Sequence, residues 1–308
     1  MLLNIALWAK HYNKDVKTID PTKKPAVLYL TLENSIDETI ERLWSYYVSE
    51  EDEIEYHTPA EAFDILREKG FNDEGVHIEI RYRPTGILTT DDISAMLDDM
   101  YMDGFEPIMV VVDYIKRLKS VEKQLEYRFE LGEIINQLTT LSKVWNLPVI
   151  TAAQMNREAL RMADEGKVNA GKRMGSAQIG ESTLILENTD YSFIVAREER
   201  KSTGNQYLTI KNNASRGKTG AEDYVTYFAH PFENGMRLKE DQDLAITYSL
   251  ADLGDDLSNF DPTGSNDSSE LPTEKRRLPG PLRNKRPKTR SSFTEITGSD
   301  DDDEEISI

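Results

Sequence analysis

Pro107-Ile108-Met109-Val110-Val111-Val112-Asp113 is the stretch on which the fold turns. An unbroken apolar run leaves no solvated face, which is the pattern of a strand buried on both sides in a parallel sheet. Ala26-Val27-Leu28-Tyr29-Leu30-Thr31-Leu32 upstream and Leu147–Ala153 downstream read in the same way. Val76–Tyr82 alternates apolar and polar residues, as a strand with one wet face does. Helical periods fall between these runs. Ser35-Ile36-Asp37-Glu38 is a capping box opening a helix with Ile36, Ile40, Leu43 and Tyr47 on one face. Another helix is expected around Ala60–Lys69. Thr90-Asp91-Asp92 caps a helix carrying Ile93, Met96, Leu97 and Met100, and Leu131, Ile134, Leu138, Leu141 and Trp145 line a long helix from about Arg128 to Trp145. Strands alternating with helices imply right-handed βαβ units and an α/β fold with a mostly parallel twisted sheet flanked by helices.

Residues 155–176 are rich in Gly, Ala, Arg and Lys without a clean period and read as a mobile loop. Later strands at Tyr191–Ala196, Tyr207–Lys211 and Tyr224–Phe228 are hairpin-like and expected at one edge of the sheet. Beyond about Leu244 the composition shifts to Asp, Ser, Gly, Pro and Asn, with a basic block at Lys275–Arg290 and an acidic run at Asp300–Glu305. This predicts a folded domain over 1–244 and a disordered tail over 245–308, with the tail read first as a solubilising segment.

The chain has 308 residues, of which 38% are hydrophobic and 30% charged, and a formal net charge of −19. That charge argues against general affinity for polyanions and leaves room only for local basic loops. There is no cysteine, which excludes disulfides, thiolate metal sites and cysteine nucleophiles. No apolar run approaches the roughly 18 residues needed to span a bilayer. The start, with Lys10 and Lys14 in an amphipathic pattern, has no signal-peptide layout. A soluble, cytoplasmic protein without a membrane partner is expected.

Three polar residues end three buried strands. Asp113 would emerge at the carboxyl edge of the sheet, where open α/β sheets bind ligands, or it could simply cap a turn. Glu33, in Leu32-Glu33-Asn34-Ser35, could polarise a water or be an ordinary turn residue. Gln154, in Ala152-Ala153-Gln154-Met155-Asn156-Arg157, can donate or accept a hydrogen bond, as a phosphate sensor must, or it opens a loop. All three together carry more weight than any one.

In order, Leu-Thr-Leu-Glu-Asn-Ser, Val-Val-Val-Asp-Tyr-Ile and Leu-Pro-Val-Ile-Thr-Ala-Ala-Gln-Met-Asn-Arg resemble the RecA-like motor of DnaB-family replicative helicases. Gln178-Ile179-Gly180-Glu181-Ser182, Glu187-Asn188-Thr189-Asp190 and Tyr207–Gly220 resemble its later segments, so the likeness covers roughly 1–235. The resemblance implies a RecA-like P-loop NTPase core that couples ATP hydrolysis to translocation on single-stranded DNA and to unwinding. Glu33 would be the catalytic glutamate, Asp113 the Mg²⁺-side aspartate acting through water, and Gln154 the sensor linking nucleotide to DNA loops. Lys211 and Arg216 would reach a neighbouring subunit's ATP, although the spacing Lys211-Asn212-Asn213-Ala214-Ser215-Arg216 is longer than the family's Lys-x-Arg. Arg157, Arg161, Lys167, Lys172 and Arg173 of the basic loop would track DNA backbone. The implied partners are single-stranded DNA, further copies in a head-to-tail hexameric ring, and a primase or helicase loader. The divergence of the motifs points to a phage-encoded copy acting in the host cytoplasm.

The chain departs from the resemblance at its first residues. Met1-Leu2-Leu3-Asn4-Ile5-Ala6-Leu7-Trp8 reads as the helix that follows a phosphate-binding loop, yet no G-x-x-x-x-G-K-[ST] precedes it. Gly217-Lys218-Thr219 imitates the end of that motif. It follows a late strand, however, and has Asn212 where the first glycine should stand, so it is rejected. The phosphate loop is therefore expected to be supplied separately, through a split gene, an intervening sequence or a misplaced start, and the chain alone is expected to bind ATP weakly and not to turn it over. Two other readings compete: a non-catalytic helicase-like subunit or regulator, and a RecA-type recombinase-like ATPase. Intact Glu33, Asp113 and Gln154 weigh against the first, and the Asp-Tyr-Ile and Gln-Met-Asn-Arg contexts against the second.

Overall fold

The computed structural model describes residues 1–48, 54–72, 74–121, 127–164, 170–178, 183–200, 205–215, 225–230, 236 and 238, all within one compact unit, Met1–Ser258. The expected domain end at 244 and the tail beyond it lie outside the described residues.

The chain runs α1 (Leu2–Tyr12), β1 (Lys24–Thr31), α2 (Ile36–Tyr47), α3 (Pro59–Glu68), β2 (His77–Tyr82), α4 (Thr90–Met102), β3 (Phe105–Asp113), α5 (Tyr127–Trp145) and β4 (Val149–Thr151). There follow α6 (Arg157–Asp164), α7 (Ala170–Arg173), α8 (Thr183–Glu187), β5 (Tyr191–Arg200), β6 (Asn205–Ser215) and β7 (Val225–His230). The first four strands form a parallel sheet in the order β2-β1-β3-β4.

Alternation along β1 sends its side chains to two cores, because successive residues of a strand point to opposite faces. Ala26, Leu28 and Leu30 join Val110 and Val112 of β3 against Ile93, Met96, Leu97 and Met100 of α4 and Leu131, Ile134, Ile135, Leu138 and Leu141 of α5. Val27 and Tyr29 join Met109 and Val111 against Leu3, Ala6 and Leu7 of α1, Leu43 of α2 and Leu66 of α3. Burial on both faces explains the unbroken apolar runs in β1 and β3.

Helix starts follow local chemistry. Ser35 caps α2: its Oγ accepts from the Glu38 amide at 3.2 Å, and Glu38 Oε2 accepts from the Ser35 amide at 2.8 Å. The cap of α4 is Thr89, one residue before the expected position. Only the residue three before Asp92 can exchange both bonds with it, and Thr90 instead donates its hydroxyl to Gln137 Oε1 at 3.0 Å. On α5, Gly132 lets α8 come close, since a Cβ there would stand 2.9 Å from Leu184 Cδ1.

Two expectations are corrected. The segment 155–176 holds two helices where a loop without period was expected. Asn156 Oδ1 accepts from the Ala159 amide at 3.0 Å and caps α6, a helix of only two turns whose buried apolar face is small, with Ala159 and Met162. The late strands form their own antiparallel sheet, β5-β6-β7, and are not hydrogen-bonded to the parallel sheet among the described residues. β5 also runs on past Ala196 to Arg200; apolar patterning stops there because Arg197-Glu198-Glu199-Arg200 is wholly charged. No described helix is long and apolar enough to cross a membrane.

Candidate functional site

The strand order β2-β1-β3-β4 reverses direction between β1 and β3: the chain leaves β1 toward β2, then crosses back to β3. Such a switch point opens a crevice at the carboxyl ends of the two strands. Thr31 and Asp113 are register partners there, and Leu32 donates its amide to the Asp113 carbonyl at 3.0 Å. The turn that follows β1 is pinned twice more. Thr31 Oγ1 donates to the Asn34 carbonyl at 2.7 Å, and Thr85 Oγ1 to the Leu32 carbonyl at 2.9 Å. These bonds place Glu33 on the rim, with its side chain 44% exposed.

The Asp113 carboxylate is aimed by a buried phenol: Tyr29 donates its OH to Asp113 Oδ2 at 2.7 Å. Burial, reinforced by the Asp113 charge, raises the Tyr29 phenol well above its ordinary value, so it stays protonated and remains a donor. Burial lowers the Met1 ammonium, with the Asp113 charge opposing.

Gln154 reaches this edge from β4. Its Nε2 donates to Tyr114 OH at 3.1 Å, while Thr151 Oγ1 donates to the Val112 carbonyl at 2.9 Å and fixes β4 against β3. Arg117, in the 3-10 turn Ile115–Arg117 after β3, completes the group. Its Nη2 donates to Glu33 Oε1 at 2.9 Å, and its guanidinium carbon lies 5.5 Å from the centre of the Tyr114 ring. Glu33, Arg117, Tyr114 and Gln154 therefore form one contiguous chain, and Glu33, Asp113 and Gln154 are brought together at one edge as expected. Arg117 was missed. In the sequence it is one of several cations after Asp113, beside Lys116 and close to Lys119, with nothing to single it out.

Among the described residues no three His, Asp or Glu side chains gather into a metal cage. Mg²⁺ needs no cage when phosphate oxygens and waters supply most of its ligands, so a single strand-end carboxylate such as Asp113 fits it. Residues 1–308 contain no G-x-x-x-x-G-K-[ST] loop, so nothing in them fits the usual grip on β- and γ-phosphates.

The basic residues occupy a second region. Arg157 and Arg161 lie one turn apart on exposed positions of α6, with Arg161 within 3.4 Å of Glu158. Lys172 and Arg173 are exposed on α7. Asn156 ties the ends of this segment, its amide donating to the Gln178 carbonyl at 2.8 Å and its Nδ2 to the Ala177 carbonyl at 3.0 Å. Lys167 lies outside the described residues, as does Arg216. Lys211 is hydrogen-bonded within its own chain. Its Nζ donates to the carbonyls of Lys172 at 2.8 Å and Met174 at 3.1 Å, and a reach to another subunit's nucleotide would break both bonds.

The profile of a family described as divergent DnaB-like ATPase matches residues 1–261. The replicative DNA helicase DnaB of Buchnera aphidicola subsp. Schizaphis graminum (strain Sg) is 23% identical over 142 residues, which is 42% of this chain and 30% of that protein. DnaB of Haemophilus influenzae (strain ATCC 51907 / DSM 11121 / KW20 / Rd) is 25% identical over 150 residues, 48% of this chain and 28% of that protein. The matched stretch thus spans less than a third of the length of these relatives. Two solved structures share the fold. One, an isolated ATPase domain, superposes with a TM-score of 0.53 at 14% identity, covering 70% of this chain and 74% of that one. The other, a DnaB-like replicative helicase from a structure that also addresses its interactions with primase, superposes with a TM-score of 0.51 at 13% identity, covering 70% and 50%. The RecA-like architecture expected from the strand-end motifs is therefore the one observed, and with the family match running over most of its length the chain belongs to the helicase-related divergent DnaB-like ATPases.

Proposed function

We propose that this chain is the catalytic-edge part of a replicative helicase motor that uses ATP and Mg²⁺ to move along single-stranded DNA. The observation that carries the reading is the meeting of Glu33, Asp113 and Gln154 at the β1/β3 switch point, joined through Arg117 and Tyr114. Glu33 is the base that orients the attacking water, and Arg117 holds its carboxylate in place at the rim. Asp113, aimed by Tyr29, serves Mg²⁺ through water. The ion's part is to neutralise charge on the transferring phosphate. Gln154 registers the state of the nucleotide, and only Met155 and Asn156 separate it from Arg157, the first cation of the basic segment. Arg157, Arg161, Lys172 and Arg173 face DNA phosphate. Arg216 is the residue offered to the next copy in a head-to-tail hexameric ring, where such heterologous contacts complete each site. Primase or a loader is the external partner, and the chain beyond 244 is a tail.

The grip on the β- and γ-phosphates comes from a segment outside residues 1–308. The test measures ATP turnover by residues 1–308 alone, then together with the polypeptide encoded immediately upstream. Turnover only in the second case, abolished by Glu33→Gln, is the expected result. Turnover by residues 1–308 alone that Glu33→Gln abolishes would overturn the external grip, and turnover indifferent to Glu33 would overturn the site.

A further inference from the structure

Helix α7 is too short to hold its own shape. A single turn of Ala170-Gly171-Lys172-Arg173 forms too few internal hydrogen bonds to offset the cost of ordering it. Its ends are nevertheless fully engaged by the antiparallel sheet. At the start, Glu198 Oε2 accepts from the Ala170 amide at 2.7 Å and Oε1 from the Gly171 amide at 2.9 Å. The same two oxygens accept from Tyr207 OH at 3.0 Å and Thr209 Oγ1 at 2.6 Å. At the finish, the Lys211 ammonium holds the carbonyls of Lys172 and Met174.

These partners form one surface. Tyr207, Thr209 and Lys211 alternate along β6 and so share a face, and their register partners on β5 are Glu198, Ala196 and Ile194. The backbone of α7 rests directly on that face. A Cβ on Gly171 would stand 2.7 Å from Glu198 Oε1 and 3.0 Å from both Ala196 Cβ and Thr209 Cβ, so only glycine fits. Glu198 itself is 6% exposed, a buried carboxylate whose desolvation is offset by four donors. Ala170 and Met174 face inward at 1% and 3% exposure, which leaves Lys172 and Arg173 as the outward side of the turn.

We propose that Glu198 and Lys211 clasp α7 at its two ends and thereby fix the direction in which Lys172 and Arg173 meet the phosphates of single-stranded DNA. Both are positioning residues that touch no DNA. The inference rests on the reading that the basic segment binds single-stranded DNA. It adds that the antiparallel sheet serves as the anvil for this contact, with β6 joining it to the stretch that leads to Arg216. The orphan amides and carbonyls of a one-turn helix need partners in any case. A carboxylate at the amino end and an ammonium at the carboxyl end are the charges that such an end favours.

The test is binding of a fluorescent oligo-dT, followed by anisotropy over a range of salt concentrations. It uses the chain together with the upstream polypeptide and compares wild type with Glu198→Gln, Gly171→Ala and Lys172→Gln/Arg173→Gln. The double change removes two cations and should lower the salt slope by about 1.4, at about 0.7 per phosphate contact on a single strand. Glu198→Gln deletes a negative charge, so bulk electrostatics alone would tighten binding. The clasp requires the opposite: affinity weaker by about tenfold with a reduced salt slope. It also requires that Glu198→Gln add nothing in the Lys172→Gln/Arg173→Gln background, because a turn without its cations has nothing left to aim. Gly171→Ala, which changes no charge, should behave likewise and serves if Glu198→Gln fails to fold. Weak binding with an unchanged slope, or a loss that persists in the double-mutant background, marks a merely structural role and overturns the clasp. Tighter or unaltered binding by both single variants overturns it too. No effect of Lys172→Gln/Arg173→Gln instead overturns the DNA reading of the segment.

Discussion

The two sheets solve different problems. The central strands β1 and β3 of the parallel sheet bury apolar side chains on both faces and keep their polar residues for the strand ends, where the turn after β1, Asp113 and Gln154 meet. The antiparallel sheet is shorter of apolar residues and sets a carboxylate, a phenol, a hydroxyl and an ammonium in the middle of one face. The first sheet supplies stability and offers chemistry at its rim. The second spends buried polarity on orienting one turn of helix. The lesson is that stability and placement can be assigned to separate parts of one domain, so mutations should divide accordingly.

The sharpest way to break this comparison is to hollow the parallel sheet. Leu28→Ala, at a fully buried position between β2 and β3, should lower global unfolding free energy by about 2–5 kcal/mol in urea titrations. A loss under about 1 kcal/mol would deny this sheet its dominant role. Next comes Glu33→Gln, which should reduce ATP turnover by about 10²-fold or more once the phosphate grip is supplied. Its effect on stability should stay within about 1 kcal/mol, since its ion pair with Arg117 is half-exposed. Equal losses in both assays would mean that Glu33 is a structural residue. Tyr29→Phe removes one donor from Asp113 and should cost about 1–3 kcal/mol by denaturant midpoint, while also weakening any Mg²⁺-dependent activity. An unchanged midpoint would show that the phenol does not hold the carboxylate.

The smallest effect is a pH dependence. The Thr89 hydroxyl, helped by its amide, holds the Asp92 carboxyl below its ordinary value. A carboxylate depressed in the folded state stabilises above its unfolded value, about 3.9, and loses that contribution as pH falls through the lower folded value. Wild type should therefore be slightly more stable than Asp92→Asn at pH 6, and the gap should shrink below about pH 4. A gap that widened on acidification would reverse the assignment.

Legibility in the sequence followed the same divide. β1, β3 and β4 announce themselves as apolar runs, and the residues that end or follow them pointed to the site because carboxyl edges are where such sheets bind. α6 was hidden because Ala159 and Met162 make a thin apolar face, and its cap, Asn156, sits among other loop-like residues. Arg117 could not be found, because its partner Glu33 is 84 positions away and nothing local signals the pairing. Glu198 was obscured more thoroughly still. It lies in a charged run that normally means solvent, and only the fold reveals that alternation turns it inward beneath α7.

The tie at Asn156 has an evolutionary corollary. Because this one residue bonds to both Ala177 and Gln178, the segment between is closed at its base like a purse. Length added or lost inside the closure is absorbed there, and doubling a loop costs only about 0.6 kcal/mol in closure entropy. Related chains are thus free to vary the length of the basic segment while Gln154, just outside the knot, keeps its place beside Tyr114.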